Sequence, residues 1–476
     1  MPPKIKSIRR FSEVLCLSAV SLLSGCLSEN GKNIKSGDSD AAHQAESESD
    51  SGQNSAVDTP KNIIVFIGDG MGISTITAGR IFVGQEKGLK GEEYELSFDK
   101  FPQLALIKTY NTNAQVPDSA GTATAILSGY KTNIGAINVR PNEDLDTMFL
   151  EGCGGDTLPT LTDKAKAANK TVGVISTARL THATPAVMYS HIVSRDIEAE
   201  KDLQPPFDFD GCKSISQQLI ESNLDLALGG GRKEFTDGQI TAWPGQVVTT
   251  ADDMMASPKE ARVLGLFNAS HMSFQADRAG TKEPSLAAMT RFAMDRLSAN
   301  SDGYVMMVEA GRIDHAHHGS NAYRALKDLQ ALDEAVAAAV ETAGDDTLIL
   351  VTADHSHVFT MAGYPARGNP IMGLVRSVDR ETGRPAAEYS LDEDGKPYTT
   401  LGYHNGPNVR EADSEVLTDN MVQARDYRQQ TAVRLGSETH AGEDVSLHAY
   451  GPGSERFSGV MEQDEIGQIL GELLGQ

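Results

Sequence analysis

Apolar residues occur along this chain in short continuous runs that end in glycine or acidic residues. The first run is Asn62-Ile-Ile-Val-Phe-Ile-Gly, and similar runs span about 104–110, 171–177, 224–228, 303–308 and 347–352. A continuous apolar run of this length, bounded by turn residues, is typical of a strand buried on both faces of a parallel sheet. The pattern therefore predicts an α/β protein built around such a sheet.

Other segments show helical spacing or no clear spacing. Helices are predicted at 215–221, 284–299, 321–343 and from about 463, and a short strand at 445–450. Between 231 and 284 the pattern is irregular and predicts no order of elements. From about 363 to 435 the composition changes to Gly, Pro, Asp and Arg, which suggests an inserted subdomain at the rim of a site.

The N-terminus has the pattern of a targeting segment. Basic residues precede an apolar run from about Val14 to Leu23, which is too short for a membrane span and typical of a secretory signal. Leu23-Ser-Gly-Cys26 resembles a bacterial lipobox, which implies that residues 1–25 are removed and that the Cys26 thiol is lipidated. The alternative is an ordinary signal peptide with an incidental cysteine. Either way we expect an exported protein, held at the bacterial cell envelope by the lipid alone.

Composition limits the remaining possibilities. Residues 26–59 are polar and almost free of large apolar side chains, so they are predicted to form a disordered tether before one large domain at 60–476. The net charge of −24 argues against nucleic acid as a partner, and an anionic substrate would need a local positive site such as metal ions. Once the signal is lost and Cys26 acylated, Cys153 and Cys212 remain, and they predict one disulfide.

One serine is a candidate nucleophile. Ser119 follows a turn at Pro117 and begins a stretch of small, helix-compatible residues, so it should lie at or near a helix N-terminus. Backbone N–H groups at such a terminus favour an anion. An Asp118-Ser119 pair by itself is more often a simple helix cap, so the case depends on other residues.

Those other residues are acids and histidines at the ends of the apolar runs. Asp69, Glu309 and Asp354 each end a predicted strand, and the carboxyl edge of an open α/β sheet is where ligands bind. Asp314 and His318 lie one turn apart if the chain becomes helical after Gly311, a spacing suited to one metal ion. Turn-forming acids and a solvated His-rich loop are the alternatives. The set predicts a serine activated by metal ions.

Five motifs in this order resemble the alkaline phosphatase family from Asn62 to the C-terminus. They are Gly68-Asp-Gly-Met-Gly72, Val116-Pro-Asp-Ser-Ala-Gly-Thr-Ala-Thr124, Gly311-Arg-Ile-Asp-His315, Val351-Thr-Ala-Asp-His-Ser-His357 and Glu438-Thr-His-Ala-Gly-Glu-Asp444. Their form is closer to vertebrate and marine-bacterial members than to compact enteric ones. The resemblance implies a large, mostly parallel central sheet with helices on both faces and an inserted crown-like subdomain.

The resemblance also implies an activity and a role for each candidate. The activity is hydrolysis of phosphate monoesters through a phosphoserine on Ser119, with Arg195 as a bidentate phosphate clamp. One zinc ion is expected to be held by Asp314, His318 and His440. A second zinc ion is expected to be held by Asp69, Asp354, His355 and the Ser119 oxygen. A magnesium ion is expected to be held by Asp69, Glu309 and Thr184.

Further residues are expected to support these ligands without being ligands themselves. The resemblance implies this role for Asp118, His182, His315 and His357, and two of them, His182 and His315, could favour zinc over magnesium at the third position. Family members with a calcium site have an acid where this chain has Asn268. The family further suggests a homodimer and phosphate scavenging.

Two other functions fit parts of the pattern. A phosphodiesterase of the same superfamily would commonly use Thr as nucleophile and lack an acid such as Glu309. A sulfatase motif is not provided by Ser119-Ala-Gly-Thr. From a different class, a catalytically silent lipoprotein could bind metal or phosphate without turnover.

Overall fold

The computed structural model describes residues 59–141, 156–205, 211–411 and 413–476. The predicted signal peptide, Cys26 and nearly all of the predicted tether lie outside these residues, and so does Cys153. Lipid attachment, the Cys153–Cys212 disulfide and the predicted domain limits therefore stay predictions. Among the described residues, none of the helices has both the length and the apolar character needed to span a bilayer.

Fifteen strands occur in the described residues. They are Asn62–Gly68 (β1), Gln103–Lys108 (β2), Thr171–Arg179 (β3), Leu226–Gly230 (β4), Gln246–Val248 (β5), Val263–Leu266 (β6), Tyr304–Glu309 (β7), Thr347–Ala353 (β8), Ser356–His357 (β9), Phe359–Met361 (β10), Leu401–Gly406 (β11), Thr431–Arg434 (β12), His440–Ala441 (β13), Val445–Tyr450 (β14) and Gly459–Glu462 (β15).

Twelve α-helices connect these strands in the same residues. They are Ile73–Glu86 (α1), Ser119–Ser128 (α2), Leu161–Ala167 (α3), Ala183–Ala186 (α4), Ile215–Glu221 (α5), Asp237–Ala242 (α6), Ala251–Ala256 (α7), Leu286–Leu297 (α8), Arg312–His318 (α9), Ala322–Thr342 (α10), Asp419–Val422 (α11) and Gln463–Leu473 (α12). One group packs α10 against α1, α8 and α9, and a second packs α12 against α2 and α3.

Ten of these strands form one sheet, in the order β15-β2-β14-β8-β1-β7-β3-β4-β6-β5. Its described strands pair in parallel except at β14, which runs antiparallel to both β2 and β8. Strands β1, β7 and β8 are buried along their whole length, as expected for strands covered on both faces. The predicted α/β fold with a large, mostly parallel sheet is confirmed.

The register of the central strands brings the predicted acids to one edge. Strand β1 pairs with β7 and β8 so that Ile67 lies beside Glu309 and Gly68 lies beside Ala353. Asp69, Glu309 and Asp354 therefore follow neighbouring strands at the carboxyl edge of the sheet. Because β14 runs the other way, its amino end lies at this edge too, and His440 comes just before it.

Two regions differ from the simple strand pattern. The irregular stretch 231–284 contains α6, β5, α7 and β6, and its two strands extend the sheet beyond β4. Strand β4 begins and ends two residues later than predicted. Glycine is required at the end of this strand, because a Cβ at Gly230 would overlap the Ser270 carbonyl of the adjacent segment. The predicted insertion contributes β11 and β12 to a second sheet, ordered β10-β11-β12.

Candidate active site

Ser119 begins α2 and lies almost completely buried at the carboxyl edge of the sheet. Asp118 caps the helix, since its Oδ1 accepts a hydrogen bond from the Gly121 N–H at 3.2 Å. Its own N–H donates to Asn111 Oδ1 at 3.1 Å, and a Cβ at Gly121 would overlap the Asn111 amide. The glycine is therefore required for the close approach of Asn111 to the first turn of α2.

The Ser119 hydroxyl lies among candidate metal ligands. Its Oγ is 3.2 Å from His355 Nε2 and 3.5 Å from Asp69 Oδ1. Asp354 Oδ2 is 3.4 Å from the same His355 nitrogen, and Asp69 Oδ1 is 3.5 Å from it. We call Asp69, Glu309, Asp354 and His355 the carboxylate cluster.

A second group of ligands lies beside the first. We call Asp314, His318 and His440 the histidine cluster. The Nε2 atoms of His318 and His440 are 3.1 Å apart, and each is 3.3 Å from Asp314 Oδ1. A tetrahedral zinc ion with bonds of about 2.0–2.1 Å places neighbouring donors about 3.3 Å apart. The described side chains thus already have the spacing of a zinc site.

The orientation of the two imidazoles supports the same conclusion. His318 Nδ1 lies 2.7 Å from the Glu438 carbonyl, and His440 Nδ1 lies 2.8 Å from the Pro117 carbonyl. A carbonyl only accepts, so each Nδ1 carries the proton and each Nε2 presents a lone pair. Two lone pairs and a carboxylate oxygen then face one another, an arrangement that a cation stabilises.

The sequence did not predict the carboxylate that supports the histidine cluster through His357. Glu438 Oε2 is 2.6 Å from His357 Nδ1, and His357 Nε2 is 2.8 Å from Asp314 Oδ1. Although burial favours the neutral imidazole, Glu438 and Asp314 raise the pKa of His357 to about 10. His357 is therefore a buried cation that orients Asp314. The only sequence signal for Glu438 was its place two residues before His440.

The electrostatics of the carboxylate cluster favour bound cations. Burial, and then the charges of Asp354, Asp314 and Glu309, raise the pKa of Asp69 well above its ordinary value. Burial also raises the pKa of Glu309 to about 7, against a short hydrogen bond from Ser176 that lowers it. Carboxyls that repel one another in this way are stabilised as carboxylates by a divalent ion.

By contrast, Asp314 of the histidine cluster is held in its ionised form. Burial alone would raise its pKa, but the neighbouring histidines, with the His357 cation donating a hydrogen bond, keep the pKa well below the ordinary value.

Three buried oxygens, on Asp69, Glu309 and Thr184, lack a hydrogen bond of normal geometry among the described residues, although the Thr184 hydroxyl lies near enough to Glu309 to lower the pKa of that acid. Asp69 Oδ2, Glu309 Oε1 and the Thr184 hydroxyl are all buried. Oxygen ligands of this kind suit magnesium. His182 also offers a nitrogen within 4.8 Å of ligand atoms of Asp69 and Glu309, so it is placed to contribute to the same position.

Arg195 is held in place by two side chains that were predicted to support the metal ligands. Its Nη1 donates to Asp118 Oδ2 at 3.0 Å, and its Nη2 lies 3.1 Å from His182 Nε2. The guanidinium lines a cavity of about 320 Å³ together with Ser119, His318 and His440. His315 lies in the same wall. The predicted residues that line this cavity are Ser119, His182, Arg195, Asp314, His315, His318 and His440.

Comparisons with known proteins identify the family of this chain. A model of the family "Alkaline phosphatase" matches residues 60–475. The chain is 39% identical over 447 residues to the tissue-nonspecific alkaline phosphatase isozyme of Rattus norvegicus, covering 86% of this chain and 83% of that protein. It is 38% identical over 442 residues to the alkaline phosphatase of Gadus morhua, covering 85% of this chain and 90% of that protein.

Solved structures show the same fold. The alkaline phosphatase of Thermus thermophilus matches with a TM-score of 0.63 at 24% identity, covering 91% of this chain and 96% of that one. A cold-active alkaline phosphatase from Shewanella sp. matches with a TM-score of 0.63 at 23% identity, covering 87% of this chain and all of that one.

Proposed function

Because the chain belongs to the alkaline phosphatase family, we propose that this phosphatase transfers the phosphate of a monoester first to Ser119 and then to water. The observation that carries the proposal is the position of the Ser119 hydroxyl, 3.2 Å from His355 Nε2 in the carboxylate cluster, in one cavity with His318 and His440. A hydroxyl in that place can be ionised and can attack phosphorus.

The chain's own groups bind and orient the ester. Ser119 and the Arg195 guanidinium line the same cavity, and Ser119 is the first residue of α2, whose N-terminal N–H groups favour an anion. Arg195 and this helix terminus therefore bind phosphate oxygens. Asp118 holds Arg195 while capping α2, which keeps the clamp and the nucleophile in one rigid unit. Positioning and charge stabilisation account for most of the catalysis of phosphoryl transfer.

Each set of ligands is suited to a different metal ion. Zinc ions would be held by the histidine cluster and by Asp69, Asp354 and His355, and a magnesium ion by Asp69, Glu309 and Thr184. When bound, these ions supply charge that lowers the pKa of a hydroxyl or water and stabilises the entering and leaving oxygens. The histidine cluster is the more open of the two, with the His318 side chain 33% exposed, so the leaving alcohol and the entering water share that side.

Phosphate transfer to Ser119 and phosphate transfer from Ser119 to water use the same residues, with the sides of the entering and leaving oxygens exchanged. Ser119 Oγ gives up its proton to solvent and bonds to phosphorus, while the ester oxygen departs toward His318 and His440 and takes a proton from water there. Water arriving from that vacated side loses a proton and attacks the phosphoserine, and the Ser119 oxygen leaves and regains a proton. Arg195 and the α2 amides hold the phosphate oxygens throughout.

Turnover of p-nitrophenyl phosphate by the purified, metal-loaded protein tests the proposal, with bis-p-nitrophenyl phosphate as the diester control. Acid quench should trap a phosphoprotein that carries the phosphate on Ser119. A higher rate with the diester would point to a phosphodiesterase, and bound metal without turnover of either ester would point to a silent binding protein.

We also propose that the enzyme is exported, anchored by a lipid on Cys26, and scavenges phosphate as a homodimer. The basic and apolar N-terminal pattern supports the export step. Labelling with radioactive palmitate should mark the wild type and not Cys26→Ala, and sedimentation equilibrium should give twice the chain mass.

A further inference from the structure

The inserted subdomain reaches the histidine cluster through one strand. Strand β11 lies in the predicted insertion and pairs antiparallel with β10, which begins two residues after His357. None of the residues of β11 lines the cavity of Ser119, and the proposed reaction uses none of them. Two of its side chains nevertheless contact the chain segments that supply the cluster, which are helix α9 and the residues just before His440.

The side-chain amide of Asn405 on β11 binds two polar groups of Thr439. The Thr439 N–H donates to Asn405 Oδ1 at 3.0 Å, and Asn405 Nδ2 donates to the Thr439 hydroxyl oxygen at 2.9 Å. The hydroxyl donates its own proton to the His440 carbonyl at 3.1 Å. Because a backbone N–H can only donate, the amide oxygen must face it, and the amide nitrogen then faces the hydroxyl. One amide thus fixes the residue between Glu438 and His440.

Tyr403, two residues earlier on β11, contacts the other segment. Alternate residues of a strand project from the same face, so the Tyr403 and Asn405 side chains leave β11 on one side. The Tyr403 hydroxyl oxygen lies 2.8 Å from His317 Nδ1, and both side chains are buried. His317 lies in α9 between Asp314 and His318. One face of β11 therefore contacts both segments whose ligands must meet at one ion.

The two segments differ in how firmly the rest of the protein holds them. Asp314 and His318 belong to a helix that packs against α10. His440 follows a segment, 432–437, whose residues are all exposed, and its own strand β13 has only two residues. Segments with few buried contacts open locally at low free energy. The distance of His440 from the other two ligands therefore depends on hydrogen bonds such as those of Asn405.

We propose that Asn405 is a positioning residue for the histidine cluster, which acts through Thr439 to keep His440 at the distance from Asp314 and His318 that one zinc ion requires. The inference rests on the proposed function, because it concerns a zinc ion held by these three side chains. Hydrogen-bond partners of metal ligands typically contribute a factor of about 10–100 to metal affinity. Asn405 is one residue further from the ion than such partners, so we expect the lower end of this range.

Zinc retention measures this effect directly. The wild type, Asn405→Ala, Thr439→Val and Thr439→Ser are loaded with zinc and magnesium, and the release of zinc to an excess of a chromogenic chelator is followed in time. Each change is also made in the His318→Ala background, where the histidine cluster is already broken, so that zinc from the other site can be subtracted. Asn408→Ala is the control, because its amide donates to backbone carbonyls elsewhere in the same subdomain.

Asn405→Ala and Thr439→Val should release the zinc of the histidine cluster about tenfold faster than the wild type. Thr439→Ser keeps the hydroxyl and should release zinc at close to the wild-type rate, as should Asn408→Ala. Turnover of p-nitrophenyl phosphate by Asn405→Ala should fall at limiting zinc and recover when zinc is added. In the His318→Ala background, neither Asn405→Ala nor Thr439→Val should change the release of the remaining zinc. A merely structural role would lower the thermal midpoint without depending on the hydroxyl in this way.

Thr439 is exposed, so Thr439→Val and Thr439→Ser decide the question if Asn405→Ala fails to fold. A wild-type rate of release from folded Asn405→Ala or from Thr439→Val overturns the inference and leaves the proposed function standing. Equally fast release from Thr439→Ser and Thr439→Val, or from Asn408→Ala and Asn405→Ala, overturns it as well. If His318→Ala loses no zinc relative to the wild type, the zinc site of the histidine cluster is itself wrong, and that part of the proposed function fails with it.

Discussion

The two ligand clusters differ in charge and exposure although they are adjacent, with the rings of His355 and His440 stacked 3.6 Å apart. The carboxylate cluster combines three acids with one imidazole, all fully buried, and its acids have raised pKa values. The histidine cluster has one acid and two imidazoles, and His318 reaches solvent. When a bound cation is removed, neutral imidazoles do not repel one another, whereas crowded buried carboxylates do. Metal at the carboxylate cluster should therefore stabilise the fold, and metal at the histidine cluster should mainly support turnover.

The strongest test removes the group that the carboxylate cluster is built around. In Ser119→Ala, turnover should fall by about four orders of magnitude or more, because the nucleophile is lost. Metal content should stay near normal, since the cluster keeps its acids and imidazole. Ser128→Ala on the same helix is the control, because its hydroxyl only bonds the Thr124 carbonyl. A covalent phosphoprotein in acid-quenched Ser119→Ala would show that the nucleophile is another residue.

The histidine cluster is tested by His318→Ala. One zinc ion per chain should be lost and turnover should fall at least about a hundredfold, while the thermal midpoint changes little. Metal analysis, kinetics and calorimetry on one preparation give all three values. His404→Ala is the control, since His404 is exposed on β11. Retention of both zinc and activity would remove His318 from the ligand set.

The carboxylate cluster is tested by Glu309→Gln with and without chelator. Because the pKa of Glu309 is raised from 4.5 to about 7, its contribution to stability in the metal-free protein is present below 4.5 and is lost as pH rises through about 7. The metal-free wild type should therefore melt a few degrees lower across that range, and Glu309→Gln should melt more nearly independently of pH. In the metal-loaded protein the variant should be the less stable one.

A matched buried acid provides the control for that experiment. Burial raises the pKa of Asp328 to about 7 as well, but Asp328 lies on α10 outside both clusters. Asp328→Asn should shift the midpoint equally with and without chelator. If Glu309→Gln behaved in the same way, the two clusters would not differ as described.

The smallest effect is expected at the magnesium position. Thr184→Val removes a buried hydroxyl that lacks a hydrogen bond of normal geometry, so magnesium should bind about tenfold more weakly, while turnover at saturating magnesium stays close to normal. Thr162→Val removes another buried hydroxyl of this kind on α3 and serves as the control. Equal magnesium affinity in Thr184→Val and wild type would exclude this hydroxyl as a ligand.

The sequence predicted the framework better than the supports of the site. Strands β1, β7 and β8 were recognised because runs buried on both faces are continuously apolar, and α5 was predicted with its observed bounds. Strands β5 and β6 were not, because they have only three and four residues and lie among loops.

At the site, Asp69, Glu309 and Asp354 were predicted because they lie at strand ends that the topology brings together, and Asp314 and His318 because their spacing places them one helical turn apart. Glu438 was missed because its role depends on a contact between distant segments, through which it acts on His357. Spacing along the chain carries no signal for such pairs.

Strand β14 also determines when the enzyme can begin to work. It lies between β2 and β8, and so a strand from near the end of the chain must insert before the two halves of the sheet join. His440, which precedes it, completes the histidine cluster. During synthesis on the ribosome, an N-terminal part that ends before His440 contains Ser119 without the complete set of metal ligands. We therefore expect phosphatase activity only after His440 and β14 have been synthesised and β14 has joined the sheet.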